Sequence, residues 1–424
     1  MKKGLYVIVL KSVYSALGVL ISVVLARALE PEGFGIYAYF FAIATTCAVF
    51  AQAGLPDLMI RESARWHTQQ AWGRLRGLLR GYNFVVVVLS MLMTLLLLLL
   101  HVTGALQVSE GQTGVYLLSL LLIPTVALSG LRAAALKGLG HIFKGLFPDY
   151  IIKSVLFLLL MGIVWVSGAG GAFTPADAML LYVIAALSAY LIGAYFLFRE
   201  LPAAVRTVQA VYTPKAWFKS AVPVAVSDGM SVLHVNMGIF LVGALLSAED
   251  VGIFKVALQA SLFAAFALSG IKLYLAPRSA KLISENKLPE LQALAVKSAR
   301  LVFLASLLII AGLWLLGQFL LGLVYGEAYL PAFVPLLILA AGQSIGAYFG
   351  ASADILMMAG FEKYIAWVKA LAVLLSFVLA LLLIPAGGIV GAALASALSY
   401  ALWCLALGIL VRIKVGIRVS AFGI

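Results

Sequence analysis

Apolar runs long enough to cross a lipid bilayer, separated by short turns, recur along almost the whole of this chain. A helix needs roughly 20 apolar residues to span the hydrocarbon core. Twelve such windows fall at 5–28, 34–54, 82–102, 114–131, 150–168, 178–198, 217–246, 251–277, 301–322, 332–358, 364–384 and 388–411. Composition excludes a soluble fold, because 64% of the 424 residues are apolar and only 11% are charged, about half the charged share of a soluble domain. The fold class is therefore all-α: a polytopic membrane protein with twelve transmembrane helices. Cys47 and Cys404 sit in separate apolar runs, which offers neither a disulfide framework nor a cysteine metal site. The first apolar run continues to about Leu25 without a small-residue cleavage pattern, so it reads as a retained span rather than a signal peptide.

The net charge of +13 is a topology signal and not a sign of nucleic-acid binding. Lys and Arg occupy alternate loops, among them Arg61, Arg74, Arg132, Lys137, Arg206, Lys281, Lys363 and Arg412. The opposite loops carry Glu30, Glu32, Glu110, Asp177, Glu249, Asp250 and Glu327 instead. Basic loops stay inside, which places both termini in the cytoplasm and the protein in the cytoplasmic (inner) membrane. The largest loops, 55–81 and 278–300, are short basic stretches, and no segment is long enough for a soluble domain. Any chemistry must take place within the membrane.

An internal repeat divides the chain. The nine residues from Leu29 to Tyr37 align without gaps on Leu246 to Phe254, and the same offset of 217 carries Arg61 onto Arg278. In both copies the motif is an external turn between the first two spans of a half. An even number of spans per half keeps the copies in the same orientation, so the halves are parallel, about an axis along the membrane normal. The expected organisation is an N-terminal six-helix lobe, 1–200, a cytoplasmic linker, 201–216, and a C-terminal six-helix lobe, 217–424, around a central cavity. The linker is basic and apolar in mixture and suits an amphipathic segment on the inner surface.

The stretch Ala26-Arg27-Ala28-Leu29-Glu30-Pro31-Glu32-Gly33-Phe34-Gly35-Ile36-Tyr37, followed by Gly54-Leu55 and Arg61-Glu62-Ser63-Ala64, resembles the O-antigen type polysaccharide flippases. These belong to the MATE-like multidrug, oligosaccharidyl-lipid and polysaccharide exporter superfamily, and their first turn usually reads A-R-x-L-G-P-E-x-F-G-x-Y. Glu30 departs from that pattern, where Gly is typical. The resemblance implies a transporter, not an enzyme, that moves a polyprenyl-diphosphate-linked oligosaccharide or polysaccharide repeat unit outward by alternating access. It implies an anionic lipid-linked glycan as substrate, membrane lipids and glycan-assembly proteins as partners, a proton or sodium ion for coupling, and no cofactor. The motif itself reads as structural: Pro31 stops a helix, and Gly33 and Gly35 permit a tight turn and close packing.

Ionisable residues inside the spans point to the substrate's chemistry. The cations are Lys11, Arg27, Lys153, Lys219, Lys255, Lys272 and Lys369, against the acids Asp228 and Asp354. A charge in hydrocarbon costs several kcal/mol and faces a cavity or a partner. With too few acids to neutralise them, the surplus cations call for an anionic ligand such as a diphosphate. Arg27, Lys153 and Lys219 lie near span ends and read as snorkelling. Lys11, Lys369, Lys272 and Lys255 are the candidate diphosphate contacts. Ser15, Ser22, Ser227, Ser231, Gln259 and Gln343 are candidate cavity-lining residues, sharing polar helix faces with the lysines or with Asp228. Asp228 and His234 are candidate coupling-ion sites, through carboxylate coordination or titration. No residue set suits a resident metal.

Three rival functions are weaker. A cation or drug exporter of the same superfamily would line its cavity with carboxylates. A major-facilitator transporter also has six plus six helices, but its loop signature is absent from Gly54 to Arg65. A membrane glycan polymerase or ligase needs room to hold donor and acceptor, which the short external loops do not provide.

Overall fold

The computed structural model describes the backbone of residues 2–104, 106, 108–167, 173–212, 214–285 and 287–423. The side chains of 2–8, 214–220, 263–277, 280 and 284 lie outside the described set. The described backbone is helical with no strand, as expected in lipid, where a helix satisfies its own N–H and C=O groups.

The first half comprises α1 (Lys2–Gln52), α2 (Leu55–Thr68), α3 (Trp72–Val102), α4 (Thr113–Gly138), α5 (Ile142–Phe147), α6 (Lys153–Val166) and α7 (Pro175–Glu200). A π-helical turn, Pro148–Ile152, joins α5 to α6. After α8 (Ala203–Thr207) come α9 (Pro214–Leu245), α10 (Ala248–Ser284), α11 (Leu288–Val324), α12 (Phe333–Phe349), α13 (Ser352–Met358) and α14 (Glu362–Lys414). Nine helices among the described residues are long and apolar enough to cross a membrane. Two of them are broken: α1 at Glu30 and α14 at Gly388, where the backbone leaves helical geometry. The twelve spans read from hydropathy are thus matched approximately.

Several boundaries differ from the sequence reading. The basic stretch 55–81 is not a loop: it contains the amphipathic α2 and the first turns of α3. Helix α4 likewise runs on to Gly138, so Arg132 and Lys137, read as loop cations, are helical residues within the fold. Among its described residues the linker holds one short helix, α8, before α9 begins at Pro214. Beyond it the chain lies along α3, where Val211 N–H donates to the Gly73 carbonyl at 2.9 Å and Arg76 donates to the Val208 carbonyl. Gly77 permits this approach, since a Cβ there would meet the Val211 carbonyl oxygen at 1.9 Å.

Two compact units form: Met1–Leu29 with Ile36–Val232, and Glu30–Gly35 with Leu233–Ile424. In the first, Leu75, Leu78, Met59, Leu131 and Val86 form a core in which α2, α3 and α4 pack together. In the second, Leu291, Leu356, Ile355 and Val411 bury the ends of α11, α13 and α14 together with the chain after α14.

The second unit contains Glu30–Gly35 of the first copy of the repeated turn together with the second copy, and the two pack reciprocally. A Cβ on Gly35 would lie 1.7 Å from the Ala248 carbonyl oxygen, and one on Gly252 would lie 2.1 Å from that of Pro31. The offset of 217 relates Gly35 to Gly252 and Pro31 to Ala248, so each contact is the repeat image of the other. In the second copy Ser247 caps α10 through a capping box with Asp250, whereas its counterpart Glu30 has φ 55° and ψ 174°, a conformation suited to Gly.

Two stability effects follow. Glu30→Gly should relieve backbone strain and raise the melting temperature of the purified protein, by the equivalent of about 1–3 kcal/mol. Gly35→Ala and Gly252→Ala should each lower it, by about 1–3 kcal/mol, while Gly18→Ala, in open space, should not. Equal tolerance of all three alanines would contradict the reciprocal packing.

Candidate cationic site

Helix α4 presents Arg132 to α7 and to the π-helical turn. Its side chain is only 3% exposed, and Nη2 donates to Asp149 Oδ2 at 2.5 Å. The guanidinium presses Nη1 against the backbone of Gly193: a Cβ there would come 1.1 Å from Nη1. Nε and Nη1 of Arg132 are buried without a hydrogen-bond partner among the described residues. A buried arginine with unused donors has anion-binding capacity beyond the single carboxylate it meets.

Lys153, on the first turn of α6, is in electrostatic range of Tyr182, Tyr14 and Asp149. Its ammonium is 5.5 Å from the Tyr182 ring centroid, and Tyr14 stacks on Tyr150 at 4.3 Å. Lys137, one turn and a half beyond Arg132, lies within electrostatic range of Arg132, Lys11, Asp149 and Asp57. Unit one therefore gathers Arg132, Lys137 and Lys153 about Asp149, with Tyr14 and Tyr182 beside Lys153 and with Lys11 in electrostatic range of Lys137. The π-helical turn that carries Asp149 is a local distortion of a kind frequent at functional sites.

Of the sequence candidates, Lys11 joins this cluster. Lys11 and Ser15 are exposed, and Gly18 has nothing within 4 Å of a Cβ position, so among the described residues these three positions of α1 are not a close helix contact. Ser22 is buried, its hydroxyl without a hydrogen-bond partner among the described residues. Ser231 donates to the Ser227 carbonyl at 2.8 Å, and Asp228 is exposed.

A second group forms in unit two, around His234. Its ring centroid is 5.2 Å from that of Trp403 and 6.2 Å from that of Tyr400, and Lys369 Nζ is 5.9 Å from the Trp403 ring. His234 Nδ1 and Trp403 Nε1 are buried without hydrogen-bond partners among the described residues. Lys369 and His234, assigned separate roles from sequence, thus flank one aromatic group. Lys255 and Gln259 share α10 and are half-buried, as is Gln343 on α12. The side chains of Lys272 and Lys219 lie outside the described residues. No set of three metal-ligating side chains occurs among those described.

Sequence reasoning missed Arg132, Lys137 and Asp149. The first two sit beyond the apolar window in which hydropathy ends the fourth span, and Asp149 falls one residue outside the fifth. The signal that was available is Gly193, a small residue in α7 with no turn to explain it.

The sequence matches the polysaccharide biosynthesis protein family over residues 1–283, and the chain belongs to that family. No curated protein sequence matches. Solved structures share the fold across nearly the full length. An inward-facing multidrug resistance MATE family transporter of the MOP superfamily aligns with a TM-score of 0.78 at 14% identity, covering 96% of this chain and 98% of that one. The lipid II flippase MurJ, in an inward closed conformation, aligns with a TM-score of 0.73 at 14% identity, covering 95% and 87%. A MOP superfamily transporter from Pyrococcus furiosus, described as having a binding pocket of reversed polarity that suggests a different function, aligns at 0.66 and 12% identity, covering 97% and 94%. The fold is that of multi-pass membrane transporters and flippases.

Removing one partner of a buried ion pair strands the other. Asp149→Asn should therefore destabilise the protein by about 3–5 kcal/mol, and Arg132→Met with Asp149→Leu should recover most of that loss. Thermal melting of the purified variants checks this, and an Asp149→Asn protein as stable as the parent would contradict the assignment.

Proposed function

We propose that this protein is a flippase for polyprenyl-diphosphate-linked oligosaccharide or polysaccharide repeat units in the cytoplasmic membrane, with both termini in the cytoplasm. The observation that carries the reading is the surplus of cations over acids within the helices, concentrated at Arg132, Lys137 and Lys153 about Asp149, with Lys11 in range of Lys137. A diphosphate supplies the missing negative charge, and in a partly dehydrated site each ammonium or guanidinium contact with it is stronger than at the surface. The tyrosines around Lys153 give apolar, stackable surface with hydroxyls, chemistry that suits sugars next to the phosphates.

Lys369 with His234 and Trp403, Lys255, and Lys272 are further contacts along the substrate's route. Ser15, Ser22, Ser227, Ser231, Gln259 and Gln343 supply hydroxyls and amides for the glycan. Asp228 and His234 carry the coupling proton or sodium ion, and the halves 1–200 and 217–424, joined by the linker 201–216, alternate access. The family's role in polysaccharide biosynthesis supports this direction, as does the likeness to a flippase whose substrate is named as a lipid-linked species. The MATE likeness suggests drug export as the other reading. A cation surplus disfavours cationic drugs, and for the Pyrococcus furiosus transporter a reversed polarity of the binding pocket is likewise described as suggesting a different function.

Export of surface glycan in cells that depend on this protein tests the proposal. Lys11→Glu, Lys153→Glu and Lys369→Glu should each abolish export at normal membrane abundance, while the corresponding Lys→Arg changes are largely tolerated. Normal export by abundant Glu variants would refute the anionic-substrate reading.

A further inference from the structure

After α14 the chain does not leave the protein. Residues 415–423 fold back across the start of α11 and the end of α12, and Ile417, Val419 and Ala421 are buried. Four hydrogen bonds fix the path. Ala421 N–H donates to the Tyr348 carbonyl at 2.9 Å, Arg300 Nε to the Ala421 carbonyl at 3.1 Å, Arg418 N–H to Gln292 Oε1 at 3.1 Å, and Arg418 Nη1 to the Gly423 carbonyl at 3.3 Å. Between this tail and α11 lies an open pocket of about 840 Å³, within the range of ligand sites.

Its chemistry is sorted by position. Leu288, Val296 and Ile417 make apolar wall, while Lys297 and Arg300, three residues apart on one face of α11, supply charge. Among the described residues no carboxylate lines it. The nearby acids are engaged elsewhere: Glu285 bonds Lys287 at 3.1 Å, with Glu290 4.0 Å from the same ammonium. That bond to Lys287 holds the Glu285 carboxyl below its usual range. Among the described residues neither Lys297 nor Arg300 makes an ion pair, and the one hydrogen bond of Arg300 uses Nε, leaving the terminal guanidinium nitrogens for a ligand. At 37 residues, α11 is about 55 Å long, against roughly 30 Å of hydrocarbon, so its first turns extend into the headgroup region.

We propose that this pocket binds the phosphate-bearing headgroup of an anionic lipid. Lys297 and Arg300 donate to the non-bridging phosphate oxygens, and the lipid's chain runs along Leu288, Val296 and Ile417. The tail forms one wall of the site, which makes lipid binding and tail docking mutually stabilising. The site involves none of the residues assigned above to the glycan substrate.

The test uses the full-length protein in phosphatidylcholine nanodiscs, with retained lipid measured by native mass spectrometry as phosphatidylglycerol is added. The parent should retain phosphatidylglycerol, and Lys297→Gln with Arg300→Gln should weaken retention about thirtyfold, near fivefold for each cation. Lys297→Gln alone, which leaves the tail's hydrogen bonds intact, should lose about fivefold. Lys281→Gln with Lys414→Gln, an equal change of charge elsewhere, should lose nothing. Parallel arms with a polyprenyl phosphate and with inorganic phosphate identify the source: the lipid that competes is the occupant, and competition by inorganic phosphate alone overturns a lipid site. Equal loss in both double variants would mean diffuse surface attraction and overturn it too, as would no retention by the parent. None of these outcomes depends on flippase activity.

Discussion

The Arg132–Asp149 ion pair, pressed against the bare backbone of Gly193, is the contact on which the arrangement of the first unit turns. A buried guanidinium cannot shed its charge and cannot be left alone in an apolar interior. Its seating thus requires a glycine on α7, a carboxylate on the π-helical turn, and a α4 continuous to Gly138. The same carboxylate interacts with Lys153 and Lys137. One acid shared by several cations leaves donors over, and those spare donors are what an anionic ligand would use.

The second constraint is the repeat. Close packing in lipid depends on small residues, because no hydrophobic force drives helices together there. Gly35 and Gly252 meet that need in mirrored fashion, each against the carbonyl of the other copy's equivalent of its own turn. The two copies have nevertheless solved their turns differently, one with a capping box at Ser247 and the other with a strained Glu30 before Pro31.

Much of the fold was legible because lipid makes hydropathy decisive: spans, helical class and the repeated turn follow from apolar length and from glycine and proline placement. What escaped was governed by polar residues within helices. Hydropathy ended the fourth span at Leu131, since Arg132 interrupts the apolar run, although Asp149 and Gly193 let the helix accept that charge. The break in α14 at Gly388, by contrast, falls where the hydropathy windows 364–384 and 388–411 already part. The site was legible in kind, as an excess of cations, and in part by residue: Lys11 joins the cluster, and Lys369 and His234 share an aromatic group. Lys153 read as snorkelling, because its tie to Tyr182 comes from a helix distant in sequence. The tail after Lys414 is apolar at Val415, Ile417, Val419, Ala421 and Phe422 but too short to register as a span, so its docking was not legible.

The central claim is that the spare cations select an anionic lipid-linked glycan. It is tested most directly by reconstituting the protein in proteoliposomes carrying a fluorescent polyprenyl-diphosphate saccharide and measuring the rate at which a membrane-impermeant quencher reaches the headgroup. The account predicts protein-dependent exposure of the diphosphate lipid, slowed by an unlabelled diphosphate analogue and unaffected by an uncharged glycolipid or a lipophilic cation. Transport of the lipophilic cation with no movement of the diphosphate lipid would contradict it.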